Sequence, residues 1–397
     1  MMTLFILPLA NQGRNAGIDV LRGLAILMVV VNHVAIRLPL EKTSVAAILP
    51  YRVMRFLTHQ GYHSVFVFFV ISGFLITSGI LRRWGRLRSI QLPFFYARRF
   101  SRIVPCLLVL LSILVVLDAC GVPDFTIDGA GQTLGAALAS ALGLYLNKYE
   151  CWTGYLPANW DVLWSLSIEE LFYLIFPVIC LMLPRSDTWQ MILFGSATLA
   201  LPIAMHLMAG ETDICRHKAY LPGVSALSAG VIAALLLTRS DWMGRSAVTL
   251  LGWMGVVGIF LSCVQVYFLP DPVADDLTVG LTLSTGALLI ALSKGWGAVL
   301  RHRTLAWVRS CGVMSYEIYL THMFFVLGLV RAYHATGFSE RAAWVCYPLA
   351  LGGAWLLGYG TDRFLSYPAE HRLRALFTRW FPTPDKRLGE HEVNPSP

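Results

Sequence analysis

The 397 residues are 56% hydrophobic and 14% charged, with a formal net charge of +8. Charges make up about a quarter of an ordinary soluble globule, so this composition excludes that class and leaves a chain built to sit in lipid. The cations stand in loops at the ends of apolar runs without interleaved aromatics, a pattern of membrane topology and not of a nucleic-acid groove.

In chain order, the opening "MMTLFILPLANQGR" is apolar but lacks a basic leader and a small-residue cleavage site, and is expected to be retained. Residues 1–16 read as a cytoplasmic N-terminal segment and 17–370 as one membrane domain. Residues 371–397 read as a basic cytoplasmic tail, partly disordered, polar beyond about Thr383. Apolar runs of spanning length predict helices over 17–38, 63–81, 103–119, 162–183, 188–209, 220–238, 246–269, 277–293, 311–330 and 343–366. The fold class is an all-α, polytopic transmembrane helix bundle of about ten spans. An eleventh run, "AGQTLGAALASALGLYL" (130–146), is rich in Ala and Gly and reads as a re-entrant or interfacial helix.

Charge settles that assignment. The link from Arg82 to Arg102 holds Arg82, Arg83, Arg86, Arg88, Arg98, Arg99 and Arg102, which places it and the N-terminus on the cytoplasmic side. If 130–146 does not cross, Arg239, Arg245, Lys294, Arg301, Arg303, Arg309 and the tail "RLRALFTRWF" all fall inside, while Asp124, Asp128, Asp271, Asp275 and Asp276 fall outside. Both termini are then cytoplasmic. The eight cysteines form no CxxC pair and lie mostly in apolar runs, so no metal site is expected. Cys151 and Cys215 fall outside, where an oxidising compartment allows them to pair although spacing alone does not require it.

Ionisable groups inside spans need a partner, a wet cavity or a function. In "GIDVLRGLAILMVVVNHVAIRL", Arg22 and His33 are eleven positions apart, close to three whole turns, so they share a face about 16 Å apart along the axis. A structural reading competes: Arg22 snorkels against Asp19, and His33 is a satisfied interior histidine. "LWSLSIEELFYLIFP" opens the fourth span with Glu169 and Glu170, which point about 100° apart. Glu169 is expected inward, near the external end and at the depth of His33; Glu170 reads as a carboxylate favoured by the helix N-terminus. "CGVMSYEIYLTHMFF" places Ser315, Tyr319 and His322 on one helix face, with Glu317 nearer the cytoplasmic end, where Arg22 is positioned to neutralise it.

Five stretches in order resemble the acyltransferase 3 family over roughly residues 16–370: "IDVLRGLAILMVVVNH", "FVFFVISGFLIT", "FYARRFSRIVP" with its RxxR spacing at Arg99 and Arg102, "LWSLSIEELFYLIFP" and "SYEIYLTH". The resemblance implies an integral-membrane enzyme that moves an acyl group, most often acetyl, from acyl-CoA to a hydroxyl of a carbohydrate-containing acceptor such as a surface polysaccharide, lipo-oligosaccharide or glycosylated metabolite. It implies a multi-pass protein of the bacterial inner membrane, with acyl-CoA as co-substrate and no tightly bound cofactor. It marks His33 as the base, Glu169 as an essential carboxylate, and Arg22, Arg98, Arg99 and Arg102 as the coenzyme-side cations. Ser315, Tyr319, His322 and Glu317 are candidates for the acceptor or the oxyanion. Two positions depart from the family's pattern: Leu171, where Gln is common after the Glu pair, and Glu317, where a small or apolar residue is usual. Some members carry a further hydrolase-like domain, which the short tail here is not expected to hold.

The chemistry follows from the residue types. Phosphates on the cytoplasmic side call for bidentate, permanently charged arginine. A sugar hydroxyl needs a base near neutrality, which histidine supplies, and Glu169 is expected to hold the imidazole's tautomer. The competing class is a transporter or flippase for a glycan or lipid intermediate, since buried His and Glu also form proton relays. It leaves the RxxR cluster unexplained, and no internal repeat is visible.

Overall fold

The computed structural model describes residues 14–184, 186–208, 210–265 and 271–380. Among the described residues every regular element is helical. Eight helices are long and apolar enough to cross a membrane: Ala16–Ala35, Tyr51–Trp84, Leu92–Ala119, Ala158–Met182, Asp187–Leu207, Asp213–Thr238, Arg245–Val264 and Glu340–Arg379. Helix Asp271–Ser293 and a bent pair, Arg303–Val313 with Ser315–Ala335, stand where the remaining two spans are predicted. The chain is a multi-pass, all-α membrane bundle. The eleventh run yields only helix Leu134–Leu142, nine residues. At 1.5 Å per residue that is about 14 Å, under half the hydrocarbon thickness, so it does not cross.

Lipid supplies no hydrophobic drive between helices, so small residues that let backbones touch fix their packing. A Cβ built on Gly23 would lie 2.0 Å from the carbonyl oxygen of Val308, and one on Gly312 would lie 1.8 Å from that of Asp19. Helices Ala16–Ala35 and Ala306–Val313 therefore meet backbone to backbone, which positions Arg22. Gly73 and Gly230 make the same contact between Gly61–Trp84 and Tyr220–Thr238, at 1.9 Å from Leu227 O and 2.0 Å from Val70 O. That contact positions Ser72. Asn15 caps the first helix, accepting from the N–H groups of Gly17 (2.9 Å) and Ile18 (3.2 Å), and its Nδ2 donates to Leu292 O (2.8 Å).

The sequence predicts one continuous span over 311–330. Instead the chain breaks at Met314, and the two helical pieces meet at 82°. Irregular backbone at membrane depth is tolerated where it borders a cavity. The break sets Ser315 at the start of a helix and against such a cavity.

At the opposite end of the bundle, a disulfide between Cys151 and Cys215 joins helices Leu146–Thr153 and Asp213–His217. The pairing allowed by the sequence is thus present. The domain boundary expected at 370 falls within helix Tyr367–Trp380, which brings Arg374 back to the cavity wall. Residues 1–13 and the predicted disordered stretch after Thr383 lie outside the described residues.

Candidate active site

A cavity of about 520 Å³ opens among helices Ala16–Ala35, Gly61–Trp84, Leu92–Ala119, Ala158–Met182 and Ser315–Ala335. All four predicted coenzyme-side cations, Arg22, Arg98, Arg99 and Arg102, line it, joined by Arg82 and Arg374. Helical spacing explains the convergence: Arg98 and Arg102 are one turn apart, and so are Arg99 and Arg102. Arg22 Nη2 donates to Ser315 Oγ (2.7 Å), and Arg99 lies over the ring of Tyr173, 4.2 Å from its centroid. Among the described residues the side chains of Arg82, Arg98 and Arg102 make no hydrogen bond or ion pair. Such cations are stable at this depth because they face a polar chamber.

The carboxylates sit differently from expectation. Helix Ala158–Met182 begins four residues before the predicted start at 162, so Glu169 and Glu170 occupy its middle and not its N-terminal turn. The helix-terminus reading of Glu170 fails, because both acids line the arginine chamber. Although they point about 100° apart, the chamber is wide enough to border both faces. Glu169 accepts hydrogen bonds from Ser72 Oγ and Tyr173 Oη. It makes no contact with His33, so the depth match and the tautomer-holding role drawn from the sequence are not what the geometry gives.

One turn away from Glu169 on the same helix, Ser165 meets the helix that carries His322. Ser165 Oγ lies 2.7 Å from Tyr319 Oη. Tyr319 donates its single hydroxyl hydrogen to Val162 O (2.7 Å), which makes Ser165 the donor between the two. Ser165 and Tyr319 both reach the chamber wall. Beyond them the ring of His322 stands 6.1 Å from that of Tyr319, and the half-buried ring of His33 stands 5.1 Å from that of His322. Asn159 Nδ2 donates to Leu320 O (2.7 Å), fixing the Glu169 helix against the His322 helix at this level.

His322 is fully buried, and its Nδ1 lies 2.8 Å from Tyr319 O and 3.1 Å from Ile318 O. Carbonyls only accept, so Nδ1 carries the proton and Nε2 presents a lone pair. That Nε2 is buried without a protein partner. In this tautomer the Nε2 of His322 is a hydrogen-bond acceptor. Arg22 and His33 both meet the helix Ser315–Ala335, Arg22 at Ser315 and His33 at His322, as their shared face requires. Glu317 is buried and its electrostatic partner is mainly Arg102, with Arg22 bonded instead to Ser315.

Sequence reasoning left Ser72, Ser165, Tyr173, Arg82 and Arg374 without roles. Ser165, Glu169 and Tyr173 recur every four residues, a signal that was readable as one polar stripe. Ser72 and Arg374 meet the chamber only through tertiary packing.

These features define a polytopic membrane protein with a cation-lined interior chamber whose wall at Ser165 and Tyr319 stands next to His322 and, behind it, His33, neither of which lines the chamber. Residues 15–360 match the acyltransferase domain of the acyltransferase 3 family, and the chain belongs to that family. It is 31% identical over 144 residues to the peptidoglycan O-acetyltransferase OatA of Listeria monocytogenes, covering 36% of this chain and 23% of that protein. It is 29% identical over 159 residues to the O-acetyltransferase OatA of Staphylococcus aureus, covering 38% of this chain and 26% of the relative. The matched stretch thus spans about a quarter of either relative. No solved structure matches.

Proposed function

We propose that this chain is a membrane O-acetyltransferase that moves an acetyl group from acetyl-CoA to a hydroxyl of a carbohydrate-containing acceptor, with His33 as the general base. The observation that carries this reading is one chamber with six arginines at its walls and the Ser165–Tyr319 pair, adjoining His322 and His33, at its far end. Arginine forks suit the donor's phosphates, and Arg22 and Tyr319 line the same chamber, along which the slender pantetheine arm would run. The same donor chemistry explains why Arg82, Arg98 and Arg102 form no ion pair among the described residues, Glu317 acting on Arg102 only at longer range.

In the reaction the acceptor hydroxyl loses its proton to His33 as its oxygen attacks the thioester carbonyl. The tetrahedral intermediate collapses with cleavage of the carbon–sulfur bond, and the imidazolium returns the proton to the departing thiolate. Ser315 already accepts from Arg22, so its own hydroxyl hydrogen is available to the donor. Glu169, Ser72 and Tyr173 form a bonded cluster that holds Arg99 through the Tyr173 ring. Their role is to shape the donor passage. The arginine end faces the cytoplasm in this reading, and the disulfide end faces an oxidising compartment. In a bacterium this is the inner membrane.

The test is incubation of the purified protein with isotope-labelled acetyl-CoA, together with mass spectrometry of surface glycans from a strain lacking the gene. Labelled acetyl transfer and a missing acetyl substituent are expected. Proton-coupled flux of a glycan with no coenzyme dependence would replace the enzyme with a carrier.

A further inference from the structure

A second cavity, of about 670 Å³, adjoins the first, and Arg22, Leu75, Arg82 and Arg102 belong to the walls of both. It adds Arg14, Asn15, Ser78 and Arg301, none of which the reaction above uses. Together the two cavities hold eight arginines, more than the diphosphate bridge of one coenzyme can engage through bidentate forks. Arg14 and Arg374 are paired with Asp19 and Glu370, and the other six make no ion pair among the described residues, which leaves room for a second anion.

Arg301 is held ready for one. It ends the short helix Ala298–Arg301, and Arg309 Nη1 donates to the carbonyls on either side of it, Leu300 O and His302 O, both at 2.8 Å. Among the described residues the guanidinium groups of Arg301 and Arg82 make no hydrogen bond or ion pair, whereas Arg14 is paired with Asp19 at 2.8 Å. Ser78 Oγ is buried in the same region without a partner, a cost that a ligand donor or acceptor relieves. Phe74, Leu81 and Leu237 give the cavity apolar walls suited to a planar base.

The two cavities differ in what they reach. Only the first extends to Ser165 and Tyr319, so the thioester arm belongs there, and the second, sharing the wall of Arg22, Arg82 and Arg102, is open to the coenzyme's other end. We propose that the second cavity seats the 3′-phosphorylated nucleoside end of the donor. Arg301 and Arg82 take the 3′-phosphate, Ser78 bonds the nucleoside, and the diphosphate lies along the shared wall of Arg22 and Arg102. This inference rests on the acyl-CoA reading above.

The experiment is equilibrium binding of acetyl-CoA and of acetyl-3′-dephospho-CoA to the full chain in nanodiscs. The wild type is expected to favour acetyl-CoA by about tenfold, the scale of one charge-assisted hydrogen bond. Arg301→Ala is expected to abolish that preference by weakening acetyl-CoA alone, and Arg301→Lys to restore part of it. An unchanged preference in Arg301→Ala, or equal weakening of both thioesters, overturns the assignment of the cavity while leaving the donor reading intact. Binding of neither thioester overturns both. If the Arg301 effect disappears when phosphatidylglycerol nanodiscs are replaced by phosphatidylcholine, the cavity holds a lipid headgroup and the proposal fails.

Discussion

At the disulfide end Lys218 Nζ is clasped by Glu150 (2.7 Å) and Asp161 (2.5 Å), and Glu150 also accepts from the N–H of Leu156 (3.0 Å). At the arginine end Arg82, Arg98 and Arg102 line a chamber with no carboxylate within ion-pair distance among the described residues. Both ends face the same cost of removing charge from water. One end meets it by internal pairing and becomes rigid structure. The other leaves cations directed at a polar space, which is stable only where solvent or an anionic ligand completes the arrangement. An internally satisfied charge therefore marks scaffold here, and an unsatisfied one marks a site.

The largest expected effect lies at the seam between the two regions. His33→Ala is expected to lower kcat by about 10² to 10⁴-fold, the range for losing a general base, with unchanged expression and thermal stability. An inserted, folded variant that acetylates at the wild-type rate removes His33 from the mechanism. Next is the paired cation. Lys218→Met leaves two carboxylates, one fully buried, facing each other without a counterion, and is expected to cost about 3–5 kcal/mol of stability. Thermal unfolding in detergent measures it. The matching change at the other end, Arg102→Met, is expected to leave the melting temperature within a few degrees while raising the KM for acetyl-CoA about tenfold. If Arg102→Met unfolds the protein and Lys218→Met does not, the division between scaffold and site is reversed.

How much of this was visible in the sequence depends on the kind of information each feature needs. Span length and charge asymmetry are local, so the all-α bundle and the non-crossing status of 130–146 were both readable. The RxxR cluster and Arg22 were grouped as one site through the family resemblance, with loop position giving only the side of the membrane. The break at Met314 was not, since "CGVMSYEIYL" holds no proline and its apolar pattern runs straight through; the bend stands beside the tertiary contact of Gly312 with Asp19, which no local pattern shows. The depth of Glu169 was misjudged because the helix starts at Ala158, where Asn159 and Asp161 look like loop residues. Asn159 is instead bonded to Leu320 O and Asp161 to Lys218, partners far away in sequence. Polar residues whose partners are distant mislead a reading based on local composition.

The smallest effect is the one that distinguishes a positioning imidazole from a packed one. His322 ties its Nδ1 to backbone carbonyls and leaves Nε2 buried without a protein partner beside the ring of His33. A buried lone pair of this kind carries a desolvation cost, which is reduced when an N–H of His33 or the O–H of the incoming hydroxyl turns toward it. His322→Asn keeps an amide donor near the carbonyls of Ile318 and Tyr319 but deletes Nε2. If His322 only fills space, this variant should turn over like the wild type. If Nε2 orients His33, kcat should fall by up to about tenfold, the value of one neutral hydrogen bond, while the KM for acetyl-CoA stays unchanged because the arginine chamber is intact. A rise in KM at constant kcat would instead move His322 into the donor passage, and the boundary between the two regions would shift by one turn of the helix.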